Sequence, residues 1–171
     1  GRNGTIHGNA TYDAANHALS FPGGPNGSGY VDLAGSFDDF SAGVSIEFEG
    51  EFGDTRTNWE RIFDFGVFGG FGDDFWVGQL GTDNELAIET WIGGVNQGRC
   101  HTAMNGQGLG APGDRSFVKW IITVDPVAGC RIYRNGTEVP TQVKDPTYTS
   151  DTPAVLNGSA YPLPVVSSRT N

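Results

Sequence analysis

The sequence predicts an all-β protein, an antiparallel β-sandwich of two packed sheets. Its 171 residues include 27 Gly and 9 Pro, with 12% aromatic and 18% charged residues, a composition typical of short strands joined by many turns. Strand-like segments recur about every 8–12 residues, which favours a sandwich or a barrel. No segment has the period of an amphipathic helix. A chain of this length is expected to form a single domain over residues 1–171.

The first predicted strands are short segments in which polar and apolar residues alternate. Segments 18–21 and 30–33 follow this pattern, and a loop rich in Gly and Pro at 22–27 separates them. In 44–52, Val, Ile and Phe alternate with Ser and Glu. Because successive side chains of a strand point to opposite faces, this segment is predicted to be a half-buried central strand.

The later segments complete the predicted sheets. Strands are expected at 61–66, 75–80, 85–92, 100–104 and 117–125. The last of these is rich in β-branched residues and contains Trp120, which we expect to be buried. Segments 130–134 and 137–139 flank Asn135 and Gly136, a dipeptide that favours a two-residue hairpin turn.

The charge of the chain excludes some classes of partner. With 20 acidic and 10 basic residues, the formal net charge is -10, which repels nucleic acid and anionic membrane surfaces. No run of about 18 or more apolar residues occurs, so membrane insertion is not expected.

Cys100 and Cys130 are the two cysteines, and they can form one disulfide. Each lies at the edge of a strand-like segment, and the two segments could be neighbours in a sheet. We expect the pair to be bonded and the protein to be extracellular, where disulfides persist. The alternative is two unrelated buried thiols.

Several motifs occur in an order that resembles the laminin G-like, concanavalin A-like jelly-roll family. They are Tyr-Val-Asp-Leu at 30–33, Ile-Glu-Phe-Glu at 46–49, Trp-Glu-Arg-Ile-Phe-Asp-Phe-Gly at 59–66, Trp-Ile-Ile-Thr-Val-Asp at 120–125 and Ile-Tyr-Arg-Asn-Gly at 132–136. The resemblance covers nearly the whole chain and implies a jelly-roll sandwich. Because the family includes adhesion modules, carbohydrate-binding modules and scaffold domains, it implies binding without naming a ligand.

The C-terminus departs from this family. In similar bacterial and phage modules, a segment resembling 164–171 leads into two more strands that close the sandwich, whereas this sequence stops at Asn171. The resemblance therefore implies open strand edges, which invite pairing with another chain. We expect the missing strands to come from a second polypeptide, from sequence beyond an inserted domain or from a neighbouring copy. The alternative is a branch of the family that ends early.

Asp73 and Asp74 make Ca2+ a candidate cofactor. They end a glycine-rich loop at 66–74, and calcium takes about six to eight oxygen ligands, which acidic loops supply. The resemblance implies that Asp74, with Asp73 beside it, matches a calcium ligand of laminin G domains. The usual second carboxylate would lie near 167–168, where this sequence has serines. The alternative is a solvated acidic turn.

Phe71, Trp76 and Trp91 are the candidate ligand contacts. Aromatic faces stack on sugar rings, and apolar residues in exposed loops mark contact surfaces. Phe71 lies in the glycine-rich loop, and the two tryptophans lie at predicted strand ends. They point to a glycan or protein ligand bound through the loops at the rim of the sandwich.

Glu47, Glu49 and Glu51 support an alternative function, a glycoside hydrolase or polysaccharide lyase. Retaining glycosidases use two carboxyl groups about 5–5.5 Å apart. Laminarinase-type enzymes on this sandwich carry an acid-x-acid-x-acid strand, but their middle acid is Asp and their cleft is rich in Trp. We expect instead a polar face whose glutamates pair with basic residues, namely Arg56, Arg61 or Lys119.

We therefore predict a non-catalytic, extracellular binding or adhesion module, secreted or displayed on a cell or virion surface. It is expected to belong to a larger multidomain protein or assembly. A structural scaffold completed by strands from another chain is the third hypothesis.

Overall fold

A computed structural model describes residues 4–22, 29–33, 42–51, 59–66, 74–80, 85–92, 95–102, 117–125, 129–144 and 152–153. All regular structure in these ranges is β-strand, and every strand pairing is antiparallel, so the predicted all-β class is confirmed. The described ranges contain no helix long and apolar enough to cross a membrane. The chain divides into two compact units, Gly1–Ser36 and Phe37–Asn171.

The unit Gly1–Ser36 contains two pairs of strands. The strands are β1 (Gly4–Gly8), β2 (Thr11–Asp13), β3 (Ala18–Ser20) and β4 (Gly29–Leu33). β1 pairs with β4, and β2 pairs with β3. The strands predicted at 18–21 and 30–33 are thus confirmed, whereas β1 and β2 were not predicted. Most of the large apolar side chains on these four strands are exposed, namely Ile6, Tyr12, Leu19, Tyr30 and Leu33.

The unit Phe37–Asn171 is an antiparallel β-sandwich. Its strands are β5 (Val44–Gly50), β6 (Arg61–Asp64), β7 (Asp74–Gln79), β8 (Leu86–Ile92), β9 (Val95–Thr102), β10 (Val118–Asp125), β11 (Gly129–Arg134), β12 (Thr137–Val139), β13 (Thr141–Lys144) and β14 (Thr152–Pro153). One sheet has the order β12-β11-β10-β5, and the other has the order β14-β13-β9-β8-β7-β6.

The core lies between these two sheets. On β10 the buried residues Val118, Trp120, Ile122 and Val124 alternate with residues that are exposed or half-buried, as expected for a strand with one inward face. They cluster with buried residues of the facing sheet, namely Phe75, Val77, Leu86, Ile88 and Cys100. The predicted burial of Trp120 is confirmed.

The Cys100–Cys130 disulfide crosses this core. It joins β9 of the six-stranded sheet to β11 of the four-stranded sheet, with a Cα–Cα distance of 6.3 Å, and both residues are fully buried. The predicted bond is confirmed, but its position was predicted wrongly. The two strands are not neighbours in one sheet, because both cysteines occupy inward-facing positions and meet face to face.

In the four-stranded sheet, the half-buried alternation predicted for β5 and the hairpin turn predicted at Asn135 and Gly136 are confirmed, whereas the central position predicted for β5 is not found among the described strands. On β5, Ile46 is buried and Glu47 and Glu49 are exposed, although β5 is the last described strand of its sheet rather than a central one. The hairpin from β11 to β12 turns at Asn135 and Gly136, whose φ angles of 50° and 80° suit a two-residue turn.

Candidate functional site

A cleft with a volume of about 440 Å³ lies on the outer face of the six-stranded sheet. This volume is in the range of small-molecule sites, roughly 300–1,000 Å³. In the part of the chain that the structure describes, the lining side chains are three tryptophans, two arginines and two acids, namely Trp59, Trp76, Trp91, Arg61, Arg99, Asp74 and Glu89. Aromatic and charged groups thus converge at one place.

Strand register brings five of these residues together. Asp74 on β7 is opposite Trp91 on β8, and Trp76 on β7 is opposite Glu89 on β8. Glu89 is in turn opposite Arg99 on β9. Side chains directly opposite each other on one face of a sheet are neighbours, so the three strands present one continuous patch.

Glu89 holds two of the lining side chains in place. Its Oε2 accepts a hydrogen bond from Trp91 Nε1 at 3.0 Å, and its Oε1 accepts one from Arg99 Nε at 2.5 Å. The side chain of Glu89 is only 3% exposed, and that of Arg99 is 16% exposed. A carboxylate buried this deeply requires a paired charge, which Arg99 supplies. Glu89 therefore holds the Arg99 guanidinium by an ion pair and the Trp91 ring by a hydrogen bond.

Trp76 forms the floor of the cleft. It is 2% exposed, and the guanidinium carbon of Arg61 lies 3.9 Å from its ring centroid. The ring of Trp59 meets it edge-on, with 6.0 Å between ring centroids and an interplanar angle of 87°. Because its ring is covered, Trp76 positions Arg61 and Trp59 and offers no open face to a ligand.

Trp59 is the exposed aromatic residue of the cleft. It is 40% exposed, and the guanidinium carbon of Arg99 lies 5.7 Å from its ring centroid. Its φ of 62° lies in the left-handed region, which is rare for bulky residues, costs about 1–3 kcal/mol and recurs at functional sites. The exposed ring and the strained backbone together make Trp59 a candidate ligand contact.

Two glycines permit this arrangement. A Cβ at Gly78 would clash with the carbonyl oxygen of Glu60, which accepts a hydrogen bond from Gln79 N at 2.8 Å. Gly78 therefore allows the backbone just before β6 to lie against β7. A Cβ at Gly66 would clash with the carboxylate of Asp74, so a larger residue there would displace that side chain.

The described lining residues carry equal numbers of opposite charges, because Arg61 and Arg99 face Asp74 and Glu89. Burial lowers the pKa of Arg61, and the nearby carboxylates of Asp64, Glu89 and Asp74 oppose that shift by attracting the guanidinium. Arginine keeps its proton in proteins, so both guanidinium groups are charged hydrogen-bond donors.

The structure places three of the predicted site residues at this cleft, namely Asp74, Trp76 and Trp91. Phe71 and Asp73 lie outside the described residues. The cleft also contains residues that sequence reasoning did not select, which are Trp59, Arg61, Glu89 and Arg99. The side chains of Glu89, Trp91 and Arg99 all lie on the outer face of the sheet. Only the register between β8 and β9 shows that Glu89 and Arg99 are in contact.

The described residues provide only part of the ligand set that a calcium ion needs. The carboxylates of Asp74 and Asp64 both approach Gly66. No group of three or more His, Cys, Asp and Glu side chains suited to a metal ion occurs in the part of the chain that the structure describes. Calcium takes about six to eight oxygen ligands, so these two carboxylates alone do not make a site. A calcium site that includes Asp73 stays a prediction.

The row of glutamates lies on the other sheet. Glu47 Oε1 accepts a hydrogen bond from Lys119 Nζ at 2.7 Å, with the two side chains 60% and 47% exposed, and Lys119 is opposite Glu49 in register. The hydrogen bond to Glu47 raises the pKa of Lys119. Glu47, Glu49 and Glu51 do not line the tryptophan cleft.

Comparisons with protein-family models, with curated proteins and with solved structures found no match to this chain.

Proposed function

We propose that this chain is a non-catalytic binding module for glycans and that the cleft on the six-stranded sheet is its ligand site. One observation carries the proposal: Trp59 and Trp91 share a single cleft with two guanidinium groups and two carboxylates. Tryptophan faces pack on the apolar faces of sugar rings, and arginines and carboxylates hydrogen-bond hydroxyl groups.

The rigidity of the cleft supports this function. Glu89 holds both Trp91 and Arg99 through hydrogen bonds, and Arg61 is stacked on Trp76 before any ligand arrives. Side chains that are already ordered lose little conformational entropy on binding, which favours affinity. The proposed contact surface is thus a sheet face with Trp59 at its border, in addition to the rim loops expected from the sequence.

The resemblance to laminin G-like modules is in keeping with a binding function. The buried Cys100–Cys130 disulfide suits a protein that works in an oxidising compartment, so the proposal places the module outside the cell. Two hypotheses compete with a glycan ligand: a protein ligand in the same cleft, and a second chain that adds strands to the sandwich. Binding to purified polysaccharides separates both from a glycan ligand.

The test is affinity electrophoresis of the purified chain in native gels that contain one soluble polysaccharide each: dextran, mannan, galactan, xylan, alginate or hyaluronan. Trp59→Gly removes the exposed ring and leaves a residue that tolerates the left-handed backbone. Phe117→Ala is the matched control, because Phe117 is 56% exposed and does not line the cleft.

We expect at least one polysaccharide to retard the wild type and the Phe117→Ala variant but not Trp59→Gly, with a loss of about tenfold or more in affinity. If no polysaccharide retards the wild type, the glycan proposal is wrong, and the protein ligand and scaffold hypotheses take its place. Gels run with calcium and with EDTA test the metal. Equal retardation in both would remove Asp73 and Asp74 as calcium ligands that matter for binding.

A further inference from the structure

We infer that the ligand of this cleft is a neutral pyranose glycan and not a uronic acid polymer or a sulfated glycan. This inference rests on the proposed function and adds the chemical class of the ligand.

The first argument is charge. Arg99 Nε already donates to the buried Glu89, and Arg61 Nε lies 3.8 Å from Asp64 Oδ2. Among the described lining residues there are therefore two cations and two anions, and both cations lie beside carboxylates. A carboxylate or sulfate on the ligand would lose water without gaining an uncompensated cation from these described residues, and Asp74 and Glu89 would repel it.

The second argument is hydrogen-bonding capacity. A sugar hydroxyl donates one hydrogen bond and accepts two, so it can bind a guanidinium and a carboxylate at the same time. The cleft offers both kinds of group side by side, with Arg99 next to Glu89 on adjacent strands. The Arg99 bond to Glu89 is made by Nε, and the described residues show no hydrogen bond from the Nη atoms, which can therefore donate to a ligand. An anionic substituent only accepts, so it would match the arginines alone.

The third argument concerns the position of the sugar ring. Trp59 is the most open aromatic residue of the cleft, and the Arg99 guanidinium carbon lies 5.7 Å from its ring centroid. A pyranose packed against Trp59 would lie close to Arg99, which is itself hydrogen-bonded to Glu89. The overall formal charge of -10 acts in the same direction, because it repels polyanions at long range.

The experiment uses matched pairs of polysaccharides. Dextran, mannan, galactan and xylan are each compared with their own carboxymethylated derivative, so that backbone and linkage stay constant while charge changes. Binding to the wild type and to Trp59→Gly is measured by tryptophan fluorescence and by affinity electrophoresis, at low and at physiological ionic strength.

We expect a neutral polysaccharide to bind about tenfold or more tightly than its carboxymethylated partner, through Trp59, with little dependence on salt. Equal or tighter binding of the carboxymethylated member, weakened by salt, would overturn the neutral class and leave the glycan proposal standing. Binding of a neutral polysaccharide that Trp59→Gly does not weaken would overturn the placement of the ring. If neither these pairs nor alginate and hyaluronan bind, the proposed function itself fails.

Discussion

The guanidinium of Arg61 covers the ring of Trp76, with its central carbon 3.9 Å from the ring centroid. This contact closes the outer face of β7, where Trp76 would otherwise present a large apolar surface to water. It also places a cation among Asp64, Asp74 and Glu89, whose carboxylates attract it. A single side chain thus joins the packing of the sheet to the electrostatics of the cleft.

Replacing Arg61 with methionine tests this contact. Methionine keeps an unbranched stem and removes the planar cation, so we expect Trp76 to become more accessible and the protein to lose about 0.5–2 kcal/mol of stability. Acrylamide quenching of tryptophan fluorescence and urea denaturation measure the two effects. Arg61→Lys keeps the charge without the planar stack, and its quenching should resemble that of Arg61→Met. Equal quenching in the wild type and both variants would show that Arg61 does not cover the ring.

Gly78→Ala is expected to destabilise the protein by about 1–3 kcal/mol, because the new Cβ would clash with the Glu60 carbonyl oxygen. The clash should push the segment of Trp59 away from β7 and weaken the proposed glycan binding. Gly50→Ala is the matched control, since a Cβ there has no atom within 4 Å, and we expect its stability to stay within about 0.5 kcal/mol of wild type. Urea denaturation of both variants measures the difference. Similar stabilities for the two would contradict the close approach at Gly78.

Removal of the disulfide should lower the free energy of unfolding by about 3–4 kcal/mol, the chain-entropy value for a loop between cysteines 30 residues apart. Urea denaturation of the Cys100→Ala, Cys130→Ala double variant measures this change. Wild type unfolded in a reducing agent is the control for the loss of side-chain volume. A wild-type protein with two reactive thiols after denaturation without reductant would show that the bond is absent.

The pair of Lys119 and Glu47 predicts a pH dependence. The hydrogen bond to Glu47 raises the pKa of Lys119 above its ordinary value, so the contribution of the pair to stability is complete below the unfolded pKa of about 10.4 and is lost as pH rises through the folded pKa. We expect Glu47→Gln to lower the pKa of Lys119, as measured by NMR titration of its side chain. Glu49→Gln is the control, because Glu49 contributes least to the shift and its removal should change the pKa less. An unchanged titration in Glu47→Gln would rule out the ion pair in solution.

The fold was largely predictable because its strongest signals are local. The alternation in β5, the β-branched run of β10 and the turn at Asn135 and Gly136 each depend on neighbouring residues only. Short strands such as β2 and β13 lack enough residues to show a period, and they form because a partner strand is present. They were accordingly not predicted.

The cleft was less predictable because its residues meet through non-local packing. Trp76 and Trp91 could be selected as aromatic residues at strand ends. The contact of Arg99 with Glu89 depends on the register of β8 and β9, which shifts between Thr90 and Trp91. The position of Trp59 depends on the backbone of the next residue, Glu60, which packs against Gly78 of β7.

The bond across the core also has a mechanical consequence for this chain. Under tension on the two ends of the chain, the covalent link from Cys100 to Cys130 shields the segment between them, including β10 at the centre of the core, from being stretched. Reduction would release that segment, and each unfolded copy would lengthen by roughly 100 Å at about 3.3–3.6 Å per residue. The redox state of a single bond thus sets how far the unfolded chain can extend under load.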